Sequence, residues 1–403
     1  TIAFSPIITR LYGPDAFGLL GVFVSLLGML SPVAAFAYPI AIVLPRYDSQ
    51  AKSIVRLSLG LAIVFSLIIW FLLMFDGKRL LALLDSEAIL PYAALLPFAI
   101  FFSVCEQVAG QWVIRKKLYA IKARIAVIQT TLNNLLLTGA GFLLPTGAIL
   151  IVISTAGHVI HALLLWLGIC RSSSETGLNV NKVQESSLKQ IALEYYDFPA
   201  YRASQVFLNA ISQNLPTLML ASFFGPAAAG FYSLGRRVLA LPSNIIGQAV
   251  GDVFYPHITE AAHRGQNLTR LILKATLALA AVAVIPFSVV IAFGPQLFSV
   301  VFGSDWLIAG EYARWLALWL FFVFVNNPTN KALPLLGAQK FHLLYSVNTL
   351  FIRILAMVAG CYFFESDLAA IIIFSVSGAI INIVLILIVL SKSKKLENVR
   401  FNR

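Results

Sequence analysis

Charge is scarce in this chain. Of its 403 residues only 11% are Asp, Glu, Lys or Arg, where a soluble domain carries about 25%. A surface facing water all round is excluded. The mean hydropathy of +0.88 places the chain among integral membrane proteins. Alternating segments of about ten residues are also lacking, which excludes a closed barrel. Cysteine is limited to Cys105, Cys170 and Cys361, too far apart for a disulfide framework or a metal-binding spacing. There is no Walker loop, no nucleotide fingerprint and no paired-carboxylate centre. The exposed loops are too short to hold a catalytic domain, so no catalytic residue is expected. The chain opens at Thr1 in mid-helix pattern without a methionine, so a missing piece of the first helix is expected upstream.

What is present is 60% hydrophobic and arranged in apolar runs of roughly 20 residues, the length of a membrane-crossing helix. The expected fold is an all-α integral membrane protein of twelve spans. The first is a truncated stub at about 1–9. The others fall at about 17–44, 54–75, 89–112, 125–144, 148–169, 200–222, 229–254, 271–292, 307–326, 344–363 and 368–390. The long polar connection, 170–199, ends in the amphipathic stretch Leu188–Tyr196, which suits an interfacial helix. It separates a six-helix lobe at 1–169 from a second at 200–390, and a basic tail follows at 391–403.

The two lobes read as copies of one unit. Tyr12-Gly13-Pro14-Asp15-Ala16-Phe17-Gly18 is answered by Phe224-Gly225-Pro226 and Gly230, shifted by 212 residues. Leu44-Pro45-Arg46 is answered by Tyr255-Pro256-His257, and Phe75 with Leu84-Asp85-Ser86-Glu87 by Phe293 with Phe302-Gly303-Ser304-Asp305. An even span number per copy makes the repeat parallel, with substrate expected between the halves.

Charge sidedness gives the orientation. Loops on one side hold 22 Lys and Arg, the other side only Arg10, Lys78 and Arg79. The positive-inside rule makes the basic side, and both chain ends, cytoplasmic. That asymmetry accounts for most of the net charge of +12, and nucleic-acid binding is not needed to explain it.

Four basic residues remain within the spans, Arg236, Arg237, Arg314 and Arg353, and one acid, Glu106. A guanidinium at mid-membrane costs at least about 2.5 kcal/mol and has to face a cavity, a partner or the interface. Arg353 lies near the middle of its span and is read as cavity-facing. Arg237 shares a helix face with Asn244 and Gln248, and Arg236 one with Ala240, Ser243 and Gly247. The first is a polar stripe suited to a cavity, the second a packing seam. Arg314 is close to the outer end of its span and either snorkels or faces inward. Glu106 is either half of an ion pair or a proton carrier. Polar stripes also mark Thr130, Asn134 and Thr138, and Gln205, Asn209 and Gln213. His158 and His161, three apart on one helix with no neighbouring carboxylate or thiol, are expected to pack or to hydrogen-bond between helices. The sum is a hydrophilic, net-positive interior that selects anions, above all phosphate oxygens.

At this point the sequence resembles a known family. Ser5-Pro6 through Gly18, then Tyr38-Pro39-Ile40-Ala41 through Arg46, is similar to the start of bacterial polysaccharide-export flippases of the Wzx type. Asp197-Phe198-Pro199-Ala200-Tyr201 and Leu208-Asn209 through Pro216 resemble that family's seventh helix. Phe224-Gly225, Gly230-Phe231-Tyr232 and Arg237 to Pro256 resemble its eighth. The resemblance implies the multidrug/oligosaccharidyl-lipid/polysaccharide exporter superfamily. It implies translocation of an undecaprenyl-diphosphate-linked oligosaccharide across the bacterial inner membrane by alternating access, the prenyl tail staying in lipid. It implies a transporter and not an enzyme, using no cofactor, with coupling to protons or sodium left open. Polysaccharide polymerase and chain-length proteins would be its partners. Related flippases use cavity arginines for the diphosphate, one of them at the end of the first helix, where Arg10 stands here. Two other readings are an organic-cation antiporter of the same superfamily, which needs intramembrane acids, and a membrane glycan polymerase or ligase.

Overall fold

The computed structural model describes residues 4–82, 87–175, 187–264, 266–333 and 339–401, and among them every regular element is a helix. By contacts the chain separates into two units, Thr1–Ala229 and Gly230–Arg403.

The first unit holds α1 (Ser5–Leu11), α2 (Pro14–Ala34), α3 (Tyr38–Ala41), α4 (Asp48–Ala82), α5 (Leu95–Arg115), α6 (Tyr119–Leu143), α7 (Gly147–Glu175), α8 (Leu188–Glu194) and α9 (Ala203–Phe224). A 3-10 turn at Glu87–Tyr92 precedes α5, and a π-helical turn at Phe198–Arg202 leads into α9. Helix α10 (Pro226–His263) carries the chain into the second unit, with α11 (Leu268–Phe302), α12 (Leu307–Val325), α13 (Asn327–Ala332), α14 (Gln339–Phe363) and α15 (Asp367–Phe401). The contact boundary falls well beyond the polar connection because α9 packs along α2.

Lipid offers no partner for a backbone amide, so each crossing segment bonds within itself as a helix. Eight described helices are long and apolar enough to cross a membrane. Helices α6, α9 and α10, with 25, 22 and 38 residues, are long enough but carry the polar stripes. With the stub α1 they make up the twelve spans expected from the sequence.

The internal repeat is visible in the helices. Helices α4 and α11 are both 35 residues long, and each bends near its end, at Asp76 and at Phe293. Each is followed by a 3-10 turn and then by the next long helix. The second helix differs from expectation. The apolar run continues to residue 44, yet α2 stops at Ala34. Phe36 and Ala37 adopt left-handed backbone (φ 47° and 59°), which ends the helix and turns the chain into α3. Left-handed non-glycine residues cost about 1 kcal/mol or more each, and the corner is held from outside. Arg115 at the end of α5 donates to the carbonyls of Ile42 (3.2 Å) and Pro45 (2.6 Å) and to Asp48 Oδ1 (3.0 Å). Lys116 also pairs with Asp48.

Close backbone approaches join the helices. In the first unit Gly18 sits against Pro226, so that a Cβ would fall 1.8 Å from its carbonyl oxygen. In the second, Gly294 and Gly310 bring α11 and α12 together in the same way, at 2.6 Å. Small residues allow van der Waals contact where no hydrophobic effect drives helices together. At the far end of α15, Thr269 donates to Ser393 Oγ (2.9 Å), and Lys392 Nζ lies 3.9 Å from the Phe341 ring centre. Those contacts attach α15 to α11 and α14.

Candidate functional site

Among the described residues, each unit holds a polar constellation within its helices. In the second unit it is cationic and aromatic. Arg353, midway along α14, stacks its guanidinium over Trp319 of α12 (4.8 Å to the ring centre) and Phe374 of α15 (5.6 Å). The two rings meet edge to face at 5.0 Å. Trp319 is fixed by Gly378, where a Cβ would intrude to 2.7 Å. A planar guanidinium fits this slot because its faces stack on aromatic rings. Tyr232 of α10 is fully buried, and its phenol feels the charges of both Arg236 and Arg353. Tyr345, one helix turn pair before Arg353, donates its hydroxyl to the Ile381 carbonyl and feels the same guanidinium. Two positive groups and two phenols are thus gathered from α10 and α14, on a wall of aromatic rings from α12 and α15.

The first unit's constellation is anionic and imidazole-based. Glu106, near the middle of α5, has its two carboxylate oxygens 3.0 Å from His158 Nδ1 and 2.9 Å from His161 Nδ1 of α7. Beside it Ser31 and Ser103 share a 2.7 Å hydrogen bond, and Gln107 donates to Ser31 at 3.1 Å. Gln129 of α6 reaches the Gly157 carbonyl at 3.4 Å, next to His158. The carboxylate that the histidines lack in sequence is supplied by another helix. Among the described residues no group of three His, Cys, Asp or Glu has the arrangement to hold a metal ion.

The residues singled out from the sequence are therefore divided. Arg236 and Arg353 come together around Tyr232. Arg237 is exposed, while its neighbour Arg236 is half-buried. Arg314 is half-buried and paired, donating to Glu311 (3.4 Å) and to the Ala292 carbonyl (3.4 Å). Arg10 is exposed in the last turn of α1. Asn209 and Gln213 bond each other along α9 at 3.2 Å. The side chains of Asn244 and Gln248 lie outside the described residues. Missed from the sequence were Trp319, Phe374, Tyr232 and Tyr345. In a chain with 30 Phe, 13 Tyr and 6 Trp no spacing separates a ring that stacks on arginine from one that packs.

Among solved structures the fold is similar to an inward-facing multidrug resistance MATE family transporter of the MOP superfamily. That match has 14% identity and a TM-score of 0.76, covering 98% of this chain and 95% of the other. The lipid II flippase MurJ in an inward closed conformation matches at 11% identity and TM-score 0.72, covering 96% and 84%. A MOP superfamily transporter from Pyrococcus furiosus, described as having a binding pocket of reverse polarity, matches at 16% identity and TM-score 0.55, covering 96% and 88%. These likenesses show the fold alone, an all-helical one. A search of curated proteins returns no significant match. The sequence itself matches the model of a polysaccharide biosynthesis protein family over residues 7–311. That stretch takes in nearly all of the first unit and a little under half of the second, and the chain belongs to the polysaccharide biosynthesis protein family.

Proposed function

We propose that the chain is a flippase that carries an undecaprenyl-diphosphate-linked oligosaccharide across the bacterial inner membrane, with the basic side cytoplasmic. The observation that carries this reading is the gathering of Arg236 and Arg353 around Tyr232 inside the second unit. Two like charges brought together among apolar helices oppose each other and resist burial. An anionic ligand removes both costs. A diphosphate offers oxygens to guanidinium forks and phenol hydroxyls at once. The family's link to polysaccharide biosynthesis supplies the class of molecule that carries such a diphosphate, and the flippase fold of a lipid-linked neighbour agrees with it. The organic-cation reading fits the same fold less well, since Glu106 is already occupied by two imidazoles.

The test is transport in vesicles. Reconstituted protein is given a fluorescent prenyl-diphosphate oligosaccharide, and arrival in the opposite leaflet is followed by quenching. Arg353→Ala and Arg236→Ala are expected to lower the rate by at least about tenfold with normal insertion. Wild-type rates in both variants would overturn the assignment of these residues to the diphosphate. Accumulation of the lipid-linked unit on the cytoplasmic leaflet in cells lacking the protein is the matching observation in vivo.

A further inference from the structure

We propose that Glu106, His158 and His161 form a proton-binding site in the first unit, which takes up and releases a proton as the protein turns over. The role in turnover rests on the flippase reading; the site itself does not.

Both imidazoles address the carboxylate through Nδ1. An ionised carboxylate only accepts hydrogen bonds, so each Nδ1 carries a hydrogen and each Nε2 is left with a lone pair. Nε2 of His161 is buried and has no partner among the described residues. In this state the cluster bears one negative charge. A proton from water adds to an Nε2, no other bond is broken, and the cluster becomes neutral. Neutral is the form that apolar surroundings favour. No heavy atom moves far, because the Nδ1 contacts serve both states.

Position adds to the argument. Glu106 stands eleven residues into α5 and His158 eleven into α7, about 16 Å from each helix start at 1.5 Å per residue. The site therefore lies well inside two helices long and apolar enough to cross a membrane, where an ionisable residue is a functional candidate by default. The helices packed on α5 and α7 place their charges toward their ends. These are Asp15 on α2, Asp48, Lys52, Arg56, Asp76, Lys78 and Arg79 on α4, and Lys122 and Arg124 on α6. Arg115 on α5 and Arg171 and Glu175 on α7 are likewise at helix ends, and Tyr38 on α3, Tyr119 on α6, Cys105 on α5 and Cys170 on α7 are the remaining titratable groups. The groups in direct contact with the Glu106 carboxylate are His158 and His161. A polar layer flanks the cluster on both sides, Ser31, Ser103 and Gln107 on one and Gln129 and Asn133 on the other. The Asn133 amide oxygen is buried without a partner among the described residues.

The experiment has two arms on the full chain. The first follows histidine protonation by nitrogen chemical shifts in purified protein, without substrate. Glu106→Gln, which removes the carboxylate that both Nδ1 atoms address, is expected to separate the histidine curves of the variant from those of the wild type. Should that variant fail to insert, His161→Asn serves, displacing the His158 curve. The second arm measures flipping in vesicles under an imposed pH or sodium gradient. Acceleration by the pH gradient in wild type, lost in Glu106→Gln, supports the site. Superimposable histidine curves in wild type and Glu106→Gln would overturn it, and so would pH-driven flipping that the variant keeps. If wild type flips no lipid-linked glycan at all, the flippase reading falls, and the nitrogen titration still decides the proton site.

Discussion

Gly18 of α2 and Pro226 at the start of α10 touch backbone to backbone, leaving no room for a Cβ. These are the two positions that define the echoing motif of the repeat, and the contact explains why a glycine stands there. Gly18→Ala must push α2 away from the Phe224–Pro226 turn. A loss of about 1–3 kcal/mol is expected, as for overpacking elsewhere. It is read as a lower unfolding temperature in detergent. Gly13→Ala, which meets open space, stays within about 0.5 kcal/mol.

The slot around Arg353 makes a separable claim about shape. Arg353→Lys keeps the charge and loses the stacking over Trp319 and Phe374. Stacking of this kind contributes about 0.5–2 kcal/mol. Arg353→Lys and Trp319→Leu are each expected to slow vesicle flipping several-fold, less than Arg353→Ala. A lysine variant equal to wild type would mean that charge alone matters.

At the corner after α3, neighbouring cations have unequal roles. Arg115 satisfies two backbone carbonyls, so Arg115→Ala is expected to cost about 2 kcal/mol. It also opens residues 42–47 to limited proteolysis. Lys116 makes one partly exposed ion pair, and Lys116→Ala should change stability by less than about 1 kcal/mol. Equal protease sensitivity in the two variants would contradict this division.

Natural cysteines test the orientation. Cys170, near the end of α7, is exposed, while Cys105 and Cys361 are buried. A membrane-impermeant maleimide is expected to label Cys170 in inside-out vesicles and not in intact spheroplasts. Labelling from the outside would invert the topology read from Lys and Arg.

Much of the fold is legible in the sequence because lipid leaves few choices. Runs of twenty apolar residues become helices, and the duplicated Gly-Pro and Phe motifs foreshadow the matching bends at Asp76 and Phe293. What escaped has physical reasons. The end of α2 depends on left-handed residues at Phe36 and Ala37, which the apolar run around them does not announce. Helix α9 groups with α2 through packing that no local pattern records. The partnership of Glu106 with His158 and His161 joins residues more than fifty apart on different helices. Each alone has a bland explanation. The arginines stood out because an intramembrane guanidinium is costly wherever it is. Their pairing depends on how α10 and α14 face each other, which hydropathy does not encode.

Helix α15 runs for 35 residues, about 52 Å, against a hydrocarbon layer of about 30 Å. Its excess length is the part bonded through Ser393 to Thr269 and lying, through Lys392, over Phe341. The tail thereby becomes a handle: a pull on it is delivered to α11 and α14 together. Anything that grips the basic end has a rigid rod with which to move three helices at once.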